Sequence, residues 1–117
     1  MATYKDLEFD EGNDFTYSLA LTDSDDVAID ITGYTFYMTV KLKLSISDTD
    51  AMFKITVSTI PDPTLGIVNI PITRANTLNE KPGIYPYDIK YKDDSGDVRT
   101  IMYGHFKLIQ GVTDSVA

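Results

Sequence analysis

Residues 82–92 constrain the fold most. Tyr85, Tyr87, Ile89 and Tyr91 occupy alternate positions, and Pro86, Asp88, Lys90 and Lys92 fall between them. A period of two is that of a strand with one buried face. The run opens at Pro82-Gly83 and closes at Asp93-Asp94-Ser95-Gly96-Asp97, a cluster of turn-forming residues. A second alternating run, Val98 to Ile109, follows at once. Together they predict a long antiparallel hairpin.

The remainder of the chain repeats the pattern in shorter pieces. Leu7 and Phe9 alternate with Asp6, Glu8 and Asp10, which predicts an edge strand near residues 4–10. Glu11 to Asp14 is a turn, Phe15 to Leu21 a second strand, and Thr22 to Asp26 another turn. Val27, Ile29 and Ile31 suit a short edge strand or an extended loop. After Thr32-Gly33, the residues Tyr34, Phe36, Met38, Val40, Leu42 and Leu44 share one face of a long strand expected at the centre of a sheet. Ser45 to Asp50 is a polar loop, and Met52 to Val57 a shorter strand. Pro61 and Pro63 mark a connection. Leu65 to Ile72 is a strand that Pro71 confines to an edge. Thr73 to Asn79 holds a single helical turn, and a tail follows Ile109.

About seven strands at short spacing with no strong helix predict an all-β protein, an antiparallel β-sandwich of immunoglobulin-like type. Residues 1–113 are expected to form one domain, with 1–11 an edge strand or arm and 114–117 a C-terminal tail. The expected core contains Phe36, Met38, Val40, Leu42, Tyr85, Tyr87, Ile89 and Phe106. Leu78, Gly83 and Tyr85 sit where a loop enters a central strand, as in a tyrosine corner, whose hydroxyl bonds back to the preceding loop. Tyr87 stands near the place of the cysteine usual in that motif. The alternative is an aromatic-rich strand without a corner bond.

Charge and chemistry narrow the function by exclusion. The formal net charge is −8, with acids clustered between Asp6 and Asp14 and again at Asp23, Asp25, Asp26 and Asp30. Nucleic-acid phosphates need a basic face, so nucleic acid is not an expected partner. The acids serve solubility and protect strand edges, or they form a patch that docks on a basic partner. Tyr4, Asp6, Glu8 and Asp10 are the candidate docking edge. There is no cysteine, hence no disulfide and no thiolate nucleophile. No apolar run follows Met1-Ala2-Thr3-Tyr4-Lys5-Asp6, so neither signal peptide nor membrane span is expected, and synthesis in a cytoplasm is.

His105 is the single histidine, and no serine lies in a strand-to-helix elbow, so no catalytic residue is assigned. Zinc would need companions that His105 lacks. The acidic loops Asp23–Asp26 and Asp93–Asp97 do not follow EF-hand spacing and read as ordinary turns. No cofactor or metal site is assigned. Tyr4, Tyr34, Tyr37, Tyr85, Tyr91 and Tyr103 would supply a sugar-stacking surface if several were exposed together; otherwise they pack the core.

Several segments also resemble a known family. Asp30-Ile31-Thr32-Gly33-Tyr34-Thr35-Phe36-Tyr37-Met38 is similar to the opening of small immunoglobulin-like domains encoded by bacteriophages and prophages. Gly66-Ile67-Val68-Asn69-Ile70 resembles their middle strand, and Thr77-Leu78 with Pro82 to Ile89 resembles their tyrosine-rich signature. Ser95 to Gly104 resembles their closing hairpin, and Gly111-Val112-Thr113 their ending. The nearest named group is the N-terminal domain family of the phage baseplate upper protein. The likeness covers residues 30–113 and departs from the pattern at the lysine-bearing stretch Lys41 to Ala51 and in lacking a following receptor-binding or coiled-coil segment. It implies a non-enzymatic virion structural protein, made in the host bacterial cytoplasm and placed in the tail, baseplate or head-tail region. Its partners would be other virion proteins or further copies of itself, with no nucleic acid and no membrane. The competing expectation is a module that binds carbohydrate on the host surface. A small hydrolase is a third, opposed by the missing nucleophile. Exposed tyrosines in a groove would favour the binding module; a large apolar patch or an extended arm would favour assembly.

Overall fold

In a computed structural model, which describes residues 2–42, 51–78 and 80–110, the chain is an all-β sandwich. Its strands are β1 (Thr3–Tyr4), β2 (Leu7–Asp10), β3 (Phe15–Ala20), β4 (Thr35–Val40), β5 (Phe53–Val57), β6 (Ile67–Ile72), β7 (Gly83–Lys92) and β8 (Val98–Ile109). One sheet has the order β1–β8–β7–β4–β5, with β2 continuing the line of β1 along β8. The other is the antiparallel pair β3–β6. The chain therefore changes sheet four times, between β2 and β3, β3 and β4, β5 and β6, and β6 and β7. With the β7–β8 hairpin central and β4 and β5 widening its sheet, this is an immunoglobulin-like arrangement.

Most pairings are antiparallel, but β1 and β2 run parallel to β8, with Thr3 opposite Met102 and Leu7 opposite Phe106. The first and last strands meet, and no local alternation reports such a pairing. Between β1 and β2 the ladder is interrupted at Lys5 and Asp6. There the Asp6 carboxylate, not a backbone carbonyl, accepts the His105 amide at 3.0 Å. The Lys5 carbonyl instead accepts the Tyr87 hydroxyl from the sandwich interior. Gly104 makes room for this, because a Cβ there would collide with that same carbonyl.

Alternation decides what is buried. Phe36, Met38, Val40, Tyr87, Ile89 and Phe106 are all in the core, joined by Phe9, Ile70, Ile72 and Leu108. Ile31 and Val68 form a second cluster with Phe36. Tyr85 is half-buried, its ring against the core and its hydroxyl donating to the Lys81 carbonyl, which is the corner bond. Leu42, expected in the core, is 53% exposed. Strand β4 ends at Val40, and the Lys41 amide donates to the Pro86 carbonyl at 3.0 Å, so Leu42 lies beyond the pleat. Leu44, the loop Ser45–Asp50, Asn79 and the tail from Gly111 onward, including 114–117, lie outside the described residues.

The acidic loops are turns tied by their own carboxylates. Asp23 Oδ1 accepts the amides of Asp25 at 2.8 Å and Val27 at 3.1 Å. Asp93 Oδ1 accepts Ser95 N at 3.0 Å, Ser95 Oγ at 2.8 Å and Asp97 N at 2.9 Å. The predicted helical turn is α1 (Arg74–Thr77), which anchors the turn after β2. Fully buried Thr77 accepts the Gly12 amide at 2.9 Å, and Asp14 accepts the Arg74 amide at 2.6 Å.

Candidate functional site

The outward face of the larger sheet carries a concavity of about 520 Å³. The strand register builds it. On β7 the residues that alternate with the core are Pro86, Asp88 and Lys90; Pro86 lies opposite His105, and Asp88 is flanked by Thr39 on β4 and Tyr103 on β8. Tyr37 is opposite Lys90, and Thr39 is opposite Lys54 on β5. Thr39 is buried and forms part of the floor. Longer side chains stand around it: Tyr4, Tyr37, Tyr103, Lys41, Lys54 and Lys90.

Three of the six tyrosines considered for a stacking surface thus converge. Tyr4 is 53% and Tyr103 44% exposed, and their rings meet edge to face at 5.3 Å. Tyr37 lies under the Lys54 ammonium, 5.3 Å from its ring centre, a cation–π distance. The other three are used elsewhere. Tyr34 and Tyr91 pack against each other, with centroids 5.1 Å apart, and against Phe36, while Tyr85 makes the corner.

The candidate docking edge runs into one side of this concavity. Tyr4, Asp6, Glu8 and Asp10 are all exposed. Tyr4 and Asp6 turn toward His105, while Glu8 and Asp10 continue along β2 opposite Lys107 and Ile109. The Tyr4 hydroxyl lies 2.8 Å and Asp6 Oδ1 3.4 Å from His105 Nδ1. The His105 amide, with help from the Tyr4 hydroxyl, holds the Asp6 carboxyl below its usual range. Its hydrogen bond to Asp6 raises the Tyr4 phenol above its ordinary value. Asp6 therefore fixes the edge beside the concavity, and Tyr4 and His105 form one of its walls. Among the described residues no group of three or more His, Cys, Asp or Glu side chains is placed to hold a metal ion.

The electrostatics of the concavity oppose those of the whole chain. Lys41, Lys54 and Lys90 surround it with Asp88 as the lining acid, Lys90 Nζ lying 4.0 Å from that carboxylate. The rest of the chain carries the excess that makes the net charge −8. Sequence reasoning did not single out these lysines. Alternation places Tyr37, Thr39 and Lys41 on one side of β4, but only the pairing order β8–β7–β4–β5 brings Lys54 and Lys90 beside them.

The fold and the site together define an immunoglobulin-like sandwich with a tyrosine- and lysine-lined outer face. No protein-family model matches the chain, and no curated protein matches it. A solved structure described as Tim-1 is similar over 97% of this chain and 98% of that chain, at 12% sequence identity and a TM-score of 0.44.

Proposed function

We propose that this protein is a non-enzymatic structural protein of a tailed bacteriophage or prophage virion, placed in the tail, baseplate or head-tail region and acting through protein–protein assembly. It is made in the host bacterial cytoplasm and joins other virion proteins or further copies of itself. The observation that carries the reading is the acidic edge. β2 is held along β8 on one side, and its other side has no strand partner among the described residues. Phe9 is buried in the core while Glu8 and Asp10 are exposed. Such an edge is firmly positioned, resists pairing with its own copy through like-charge repulsion, and suits a partner bearing Lys or Arg. Because Phe9 and the Lys5 carbonyl belong to the packed structure, deleting residues 1–11 would damage the fold itself. The test is therefore the pair Glu8→Lys and Asp10→Lys, at exposed positions. The folded double variant should enter particles less well than the parent protein. Normal incorporation would remove the edge from the assembly surface. Absence of the protein from purified virions would overturn the structural role.

A second reading, a host-surface carbohydrate-binding module, draws on a different observation: the exposed Tyr4 and Tyr103 rings stand beside Tyr37 over one concavity. Rings with an apolar face and a polar tip suit a ligand of alternating apolar and hydroxylated surface. Both readings describe a binding protein without chemistry of its own, and a virion protein can serve both roles with different faces.

A further inference from the structure

We propose that the concavity on the outer face of the larger sheet binds a carboxylate-bearing saccharide. The proposal rests on the carbohydrate-binding reading and assigns the class of sugar. A volume of about 520 Å³ lies within the ordinary range for small-ligand sites. The exposed rings of Tyr4 and Tyr103 offer aromatic surface with few rotatable bonds, so little freedom is lost on binding. The Tyr4 hydroxyl and the His105 ring are held together at 2.8 Å, a fixed polar pair at the rim.

The lysines select the charge. A chain with net charge −8 repels an anion at a distance. Lys41, Lys54 and Lys90 outnumber the two acids there, Asp88 in the lining and Asp6 beside His105 at the rim. A neutral sugar needs no such excess; a uronic acid does. An acidic peptide is the competing anion, and the backbone disfavours it. Strands β4, β7 and β8 are paired on both sides, so their surface offers no free ladder for an added strand. The lining also offers tyrosine rims and ammonium groups in place of the apolar stripe that a docked helix needs.

The experiment is an amide-resolved NMR titration of the full chain with three probes: an oligogalacturonate, the same oligomer with its carboxyls reduced to alcohols, and a hexaglutamate peptide. The oligogalacturonate should shift amides around Thr39, Asp88 and Tyr103. The reduced oligomer should bind about tenfold more weakly, and added salt should erase most of that difference. Lys54→Gln with Lys90→Gln should abolish the preference for the acidic oligomer. Tyr103→Ala should lose binding while Tyr103→Phe keeps it. Thermal melts of each variant separate lost binding from lost fold. Equal binding of the acidic and reduced oligomers would overturn the assignment of charge and leave the carbohydrate reading standing. No shift with either oligomer would overturn both. Shifts with hexaglutamate alone would make the face a site for an acidic protein segment.

Discussion

Tyr87 shows how much one side chain decides in this fold. Its ring is 4% exposed within the main core cluster, and its hydroxyl crosses to the Lys5 carbonyl at the break in the edge strand. A cysteine at this place would tie the two sheets together; the tyrosine ties the core to the sheet edge. Tyr87→Ala should cost about 3–5 kcal/mol, as for other large buried rings. Tyr87→Phe keeps the packing and leaves the Lys5 carbonyl without its donor, a loss of about 1–3 kcal/mol. Urea denaturation of both variants checks the order. Burial is the main cause holding the Tyr87 phenol well above its ordinary 10.0. The folded state thus favours the protonated form, so this contribution is complete below pH 10 and is lost as pH rises through the elevated folded value. The melting temperature should therefore fall above about pH 10, less steeply in Tyr87→Phe. The ring's burial is legible from alternation. The partner of its hydroxyl lies 82 residues away along the chain and is not. Leu42 marks the opposite limit, since alternation continues in the sequence after the strand has ended.

Among the elements, the hairpin is legible because everything that makes it is local. Strands β7 and β8 pair from Gly83 opposite Leu108 to Lys92 opposite Val98, and the turn between them is closed by Asp93. The Ser95 hydroxyl, ahead of the turn amides, holds the Asp93 carboxyl below its ordinary 3.8. A lowered folded value means that the stabilisation is present above the unfolded pKa and is lost as pH falls through the folded one. Thermal stability should be level from neutral pH to about 5 and decline below about 4. Asp93→Ala should lower the melting temperature at pH 7 and shorten that acid decline. The turn into β6 joins local and distant constraints, with Gly66 at φ +70° after a short 3₁₀ turn and packed against Leu21 and Ile29. A Cβ at that glycine would lie 2.6 Å from the Leu21 carbonyl oxygen. Gly66→Ala should therefore cost more than the roughly 1 kcal/mol of an ordinary glycine exchange, and a smaller loss in denaturant melts would contradict the close packing of that turn. The parallel pairing of β1 and β2 with β8 is not local, and alternation near residues 4–10 predicts a strand without naming its neighbour.

At the scale of the molecule, the sandwich follows from strand count and spacing, but its surfaces follow from strand order. The concavity exists because β5, β4, β7, β8 and β1 lie side by side, drawing Lys54, Tyr37, Asp88, Tyr103 and Tyr4 from distant parts of the chain. Charge then governs how copies meet. Among the described residues the larger sheet ends in β1–β2 and β5, and each strand of the β3–β6 pair has a single strand partner, which leaves several edges for pairing. With a net charge of −8 and a pI near 4.3, repulsion between copies is strong at neutral pH and vanishes as the acids are protonated. The protein should sediment as a monomer or weak oligomer at pH 7 in low salt. Association should increase with added salt, which shortens the reach of that repulsion to about 8 Å at physiological ionic strength. It should rise more steeply as pH approaches the isoelectric point. Glu8→Gln with Asp10→Asn should associate at lower salt than the parent protein, because like-charge repulsion is then removed at one edge while the net negative charge also falls. Sedimentation velocity across salt and pH reads each of these. A tight oligomer at pH 7 and low salt would mean that an apolar face, rather than charge, controls self-association.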